Sequence, residues 1–72
     1  MKKTFKLIDL DCANCAAKME DAIRSLSHVQ SVSINFLTQK MVLEAEDQWF
    51  DQVIEQAVKC CKKIDPDCTI QR

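Results

Sequence analysis

Asp11, Cys12 and Cys15 are the residues of this 72-residue chain whose types and spacing could do chemistry. Two thiols three positions apart, with a carboxylate beside the first, make a compact set of soft and hard ligands for a metal ion. The run Asp11-Cys12-Ala13-Asn14-Cys15 lies between the apolar-rich segment Phe5 to Leu10 and a stretch of helical periodicity. A strand therefore gives way to a helix at this point, and both sulfurs are expected at a positive helix end, where thiolates are favoured. The expected chemistry is capture of a divalent, soft or borderline metal ion at an exposed loop, followed by its release to a partner.

Three further thiols, Cys60, Cys61 and Cys68, lie near the other end of the chain. Cys61 shares an apolar stripe with Ile54 and Ala57 and is expected in the core, where a free cysteine behaves as a small hydrophobe. Cys60 projects about 100° away on the same helix, and Cys68 opens the last strand. Cys60 and Cys68 are the candidates for completing the coordination shell or binding a second ion. His28, single and in a turn, is expected to face solvent. Met19 and Met41 fall on core-facing positions.

Hydrophobic patterning supplies the elements that must position these groups. Thr4 to Leu10 reads as a strand with Phe5 and Leu7 on one face. Ala16, Met19, Ile23 and Leu26 then form one stripe of an amphipathic helix that starts near Ala13 and ends near Ser25 to Ser27. Asp11 or a residue beside it is expected to cap that helix. Val32, Ile34 and Phe36 alternate with polar residues in a second strand, Met41 and Leu43 mark a third, and Leu37-Thr38-Gln39 turns between them. With no glycine in the chain, the connection is expected to exceed the two residues of the tightest hairpins. Phe50, Ile54, Ala57, Cys61 and Ile64 define a second helix that stops at Asp65-Pro66, with room for a short closing strand from Cys68 to Gln71. The order strand, helix, strand, strand, helix, strand predicts an α+β, ferredoxin-like open-faced sandwich. Its four-stranded antiparallel sheet carries both helices on one face. In that topology the loop after the first strand and the loop after the second helix share one end, and His28 falls at the other.

Composition limits the alternatives. Residues 1–72 allow one domain, and 47% apolar with 29% charged residues is ordinary globular content. A chain this small buries only about 60% of its unfolded surface, so modest stability is expected. A formal charge of -1 and the lack of a dense Lys/Arg patch argue against nucleic-acid binding. Apolar runs are too short for a membrane span, and no signal peptide is visible after Met1-Lys2-Lys3. Five cysteines form an odd set without a secretory signal, which favours a cytoplasmic location, and favours metal or redox chemistry over a disulfide scaffold. A thiol-disulfide oxidoreductase also places CxxC at a strand–helix junction. Such sites carry proline close to the cysteines, whereas the one proline here is Pro66 and no Trp or Tyr flanks the pair. No catalytic constellation or phosphate loop is present, so an enzyme is not expected within these residues.

Leu10-Asp11-Cys12-Ala13-Asn14-Cys15-Ala16, with the helix that follows and Ser31-Val32-Ser33-Ile34-Asn35-Phe36, resembles the heavy-metal-associated domain. Such domains occur as free metallochaperones and as N-terminal modules of heavy-metal P-type ATPases. Copper members usually carry Gly-Met-Thr or Gly-Met-His before the first cysteine; here Asp9-Leu10-Asp11 stands there. The resemblance is to the zinc, cadmium and lead branch, and it implies that Asp11 is a third ligand beside Cys12 and Cys15. It implies a module that delivers Zn²⁺, Cd²⁺ or Pb²⁺ to a transporting ATPase or regulates it; a free chaperone, including one for Cu⁺, is the alternative. Charge counting agrees with a divalent ion. Two thiolates and a carboxylate leave one net negative charge on a dication but two on Cu⁺, and Cu⁺ is poorly matched to a hard oxygen. Asp9 in place of the usual glycine and the cysteines near the second helix depart from the common pattern.

Overall fold

The computed structural model describes residues 1–72. It contains β1 (Lys2–Ile8), α1 (Ala13–Arg24), β2 (Val29–Asn35), β3 (Lys40–Ala45), α2 (Phe50–Ile64) and β4 (Thr69–Gln71), with a single 3₁₀ turn at Asp47–Trp49 before α2. The strands form one sheet in the order β2-β3-β1-β4, every neighbouring pair antiparallel. The fold is the expected ferredoxin-like sandwich. Strand β1 lies at the centre, so the loop that leaves it is flanked by both halves of the molecule.

Alternation sets which strand residues face the helices. Phe5 and Leu7 of β1, Val32 of β2, Met41, Leu43 and Ala45 of β3 and Ile70 of β4 are buried. They meet Ala16, Met19 and Ile23 from α1 and Phe50, Val53, Ile54, Ala57 and Cys61 from α2 in one core. Full burial of a Leu or Ile side chain contributes about 1.5–3 kcal/mol; trimming a fully buried one such as Ile23 to Ala costs about 2–5 kcal/mol. The edge strand β2 is protected from α1: the Glu20 carboxylate accepts the outward N–H of Ile34 at 2.8 Å and also pairs with Arg24, which blocks an N–H that another strand could use.

Strand β1 starts and ends two residues earlier than patterning predicts. Asp9 takes a left-handed conformation, φ 60°, which turns the chain out of the sheet before Leu10. Glycine enters that region freely; Asp is among the few other residues that tolerate it. Leu10 is buried beneath the loop. The hairpin between β2 and β3 spans residues 36–39. Asn35 Oδ1 accepts from the N–H groups of Leu37 and Thr38, and Gln39 has φ 58°, so Asn and Gln do what glycine would do in a tighter turn. His28, also left-handed at φ 73°, sits at the far end, its ring stacked on Trp49 with centroids 4.4 Å apart and Nδ1 2.8 Å from Glu46. No helix is long and apolar enough to cross a membrane.

Candidate metal centre

The thiol pair stands where the chain changes from extended to helical backbone. Cys12 is the N-cap of α1, with φ -121° and ψ 113°, and its sulfur accepts the backbone N–H of Cys15 at 3.1 Å. A cap must accept one of the orphan N–H groups of the first turn. Here a sulfur takes that role rather than the neighbouring carboxylate. The helical spacing then brings Cys15 back over Cys12, and both side chains are half-buried.

The two thiols differ in acidity because of this arrangement. Cys12 is lowered from the ordinary thiol value, first by the hydrogen bond from the Cys15 thiol, then by the N–H groups of Cys15 and Asn14. Cys15 is pushed up to about 11, chiefly because its hydrogen is shared with Cys12, then by desolvation and by negative charge on Cys12 and Asp65. Lys18 pulls in the opposite direction. The pair therefore loses its first proton more easily than an isolated thiol and its second less easily, as interacting sites do. A cation that displaces the shared proton removes the repulsion between two adjacent thiolates.

Asp11 is exposed and makes no hydrogen bond or ion pair in the structure. Its carboxylate is uncommitted because Cys12 supplies the cap. The structure gathers no group of three or more His, Cys, Asp or Glu side chains around one point. Cys12 and Cys15 are brought together; Asp11 adjoins them in sequence but its carboxylate is not folded onto them.

The remaining thiols separate sharply. Cys68 lies just before β4 and is 0% exposed, and Cys61 on α2 is 1% exposed. The Cys61 thiol donates to the Cys68 carbonyl at 3.4 Å. Burial pushes both upward, Cys68 to about 12, with its bond to Cys61 adding to the effect. Cys68 thus belongs to the core rather than to the loop surface, and thiolate formation there carries a desolvation cost. Cys60 is half-buried and packs against the core from the border of α2. Asp65, the C-cap of α2, is close enough to act on Cys12, Cys15, Cys61 and Cys68 alike. This places the loop after α2 beside the thiol loop, as the topology predicts. A third loop also reaches this end: the Gln39 amide pairs with the backbone of Leu10, a contact that local sequence patterning does not reveal.

A sheet with two helices on one face and a paired-thiol loop leaving its central strand defines a small metal-binding module. The chain matches the heavy-metal-associated domain over residues 4–63 and belongs to that family; it is a heavy-metal-binding domain. It is 31% identical over 75 aligned residues to a cadmium, zinc and cobalt-transporting ATPase of Bacillus subtilis, a match that covers all of this chain and 10% of that protein. The chain thus spans about a tenth of that ATPase's length. It is 30% identical over 64 residues to the copper chaperone CopZ of Enterococcus hirae, covering 89% of this chain and 86% of the chaperone. Among solved structures, the N-terminal domain of ZntA in its Zn(II) form superposes with a TM-score of 0.68 at 31% identity, covering 97% of this chain and 88% of that one.

Proposed function

We propose that the domain takes up a divalent ion of the zinc, cadmium and lead type through Cys12, Cys15 and Asp11, and passes it to a transporting ATPase on the cytoplasmic side or regulates that ATPase. The observation that carries this reading is the Cys12 cap. Because a sulfur occupies the cap position, the adjacent carboxylate remains free, and one loop offers two sulfurs and one oxygen to the same ion.

The chemistry follows from the donor set. Cys12 gives up its proton first and attracts the cation; Cys15 then releases the hydrogen that the two sulfurs shared. Asp11 swings onto the ion and adds a hard oxygen, which suits Zn²⁺, Cd²⁺ or Pb²⁺ better than Cu⁺. Three protein ligands leave one position of a tetrahedral zinc open. A partner's ligand can enter there before Cys12 or Cys15 lets go, so transfer proceeds by stepwise exchange rather than through a bare ion. The names of the relatives run the same way, since the Bacillus subtilis protein is a cadmium, zinc and cobalt transporter. A free chaperone is the second reading, supported by the 30% identity to the copper chaperone CopZ.

Competitive titration with Zn²⁺, Cd²⁺, Pb²⁺ and Cu⁺ under reducing conditions tests the assignment. Replacing Asp11 by Ala is expected to weaken Zn²⁺ binding on the order of tenfold, within the range typical of changes around a metal site, and to leave Cu⁺ binding nearly unchanged. Equal losses for both ions would remove the basis for a divalent preference.

A further inference from the structure

The loop that carries the thiols takes part of its backbone pairing, at Leu10, from a side chain of another loop. Asp9 takes the chain out of β1 in a left-handed conformation, and Leu10 follows with no strand partner, since the pairing of β1 with β3 ends at Lys6 opposite Lys40 and that with β4 ends at Ile8 opposite Thr69. Backbone groups in such a position need other partners. They find them in one side chain. Gln39 Oε1 accepts the Leu10 N–H at 3.0 Å, and Gln39 Nε2 donates to the Leu10 carbonyl at 2.7 Å. The amide thus pairs with both backbone groups of Leu10, as a neighbouring strand would. Nε2 also donates to the Phe36 carbonyl at 2.9 Å, and the Gln39 carbonyl accepts the Leu7 N–H at 2.7 Å. Gln39 itself is held at φ 58°, a conformation that costs a residue with a side chain on the order of 1–3 kcal/mol.

We propose that Gln39, on the β2–β3 turn, is a positioning residue for the metal loop: its amide fixes Leu10 and thereby the approach of Asp11 and Cys12 to the ion. This rests on the metal-binding role assigned above to Cys12 and Cys15. The geometry favours it over a purely local role in the turn. Asn35 already closes the turn through the N–H groups of Leu37 and Thr38, so two of the three amide bonds of Gln39 serve the other loop. Leu10 is pinned from both sides, its backbone by Gln39 and its side chain by the core, and Asp11 is the next residue.

Two substitutions separate positioning from stability. Gln39→Gly removes the amide but suits the left-handed backbone, so relief of the backbone cost offsets part of what the three lost hydrogen bonds take away; Gln39→Leu keeps bulk without hydrogen bonds. Zn²⁺ dissociation constants would be measured by competition with a chromophoric chelator, alongside the Co²⁺ absorption spectrum and the exchange rate of the Leu10 amide. The expected result for both variants is faster Leu10 exchange, an altered Co²⁺ envelope and Zn²⁺ affinity reduced about tenfold, the lower end of what outer-sphere partners contribute. Val29→Ala, at the far end of the domain, lowers stability but is expected to leave the Zn²⁺ constant and the Co²⁺ spectrum as in the parent. Gln39→Gly and Gln39→Leu proteins that bind Zn²⁺ within twofold of the parent, with an unchanged Co²⁺ spectrum, would overturn the positioning role alone. A parent protein that takes up neither metal would instead defeat the metal-binding assignment on which it rests.

Discussion

Cys12 and Cys15 begin one helix, while Cys61 and Cys68 bracket the end of the other, and the same chemical group behaves differently at each. At the start of α1 the sulfur of Cys12 receives a backbone N–H at 3.1 Å and stands next to a free carboxylate. At the end of α2 the sulfur of Cys61 donates to a carbonyl at 3.4 Å, inside the core. In the first pair Cys12 faces donors and is drawn toward the thiolate while Cys15, sharing its hydrogen with Cys12, is pushed up to about 11; in the second, burial pushes both Cys61 and Cys68 up and holds them as thiols. Thiol count alone therefore says little about metal capacity. Helix polarity and burial decide which sulfurs can serve a cation.

The contrast can be broken most strongly at the first pair. The double change Cys12→Ser with Cys15→Ser is expected to weaken Zn²⁺ binding by more than the about 100-fold seen at most for outer-sphere changes, while stability measured by urea unfolding shifts by about 1 kcal/mol or less, since serine is itself a good helix cap. The mirror experiment is Cys68→Ser. It should leave the Zn²⁺ constant unchanged and destabilise the fold by about 1–3 kcal/mol, because a hydroxyl is placed where the core supplies little to satisfy it. A Cys68→Ser protein that is fully stable yet loses metal affinity would invert the comparison.

A smaller effect concerns pH. Cys61 and Cys68 both have folded values above the ordinary thiol value of 9.0, Cys68 near about 12. In the unfolded chain these thiols release protons near 9, so the folded state binds more protons between that value and the folded one. The stability they contribute is intact below about pH 9 and is lost as pH rises toward about 12. Thermal unfolding of the reduced protein is expected to fall on the order of 5 °C between about pH 8 and 10, with a shallower decline in Cys68→Ser. An equal decline in both proteins would assign the effect to other groups.

Much of this was legible in the chain itself. Periodicity located both helices and all four strands because each has one buried and one wet face, as in Ala16, Met19 and Ile23 against Lys18, Asp21 and Arg24. Patterning places the end of β1 two residues too late because hydrophobicity continues through Ile8 and Leu10, whereas the break is conformational and lies in the φ of Asp9. The topology placed Cys68 at the end of the molecule that carries the thiol loop, but position along an axis says nothing about depth; its burial follows from packing against Cys61. Gln39 was hidden for a different reason. Its partner is 29 residues away, and no local pattern distinguishes an amide that turns inward from one that faces water. The turn's place at the thiol end follows from strand order, and that was the available signal.

The most direct test is a Zn²⁺ titration of the reduced protein followed by amide and side-chain NMR. Stoichiometric uptake with resonance changes centred on Asp11, Cys12 and Cys15, and with Cys61 and Cys68 left as protonated thiols, is the predicted result. Changes centred on Cys61 and Cys68, or no saturable response at micromolar zinc, would contradict the account.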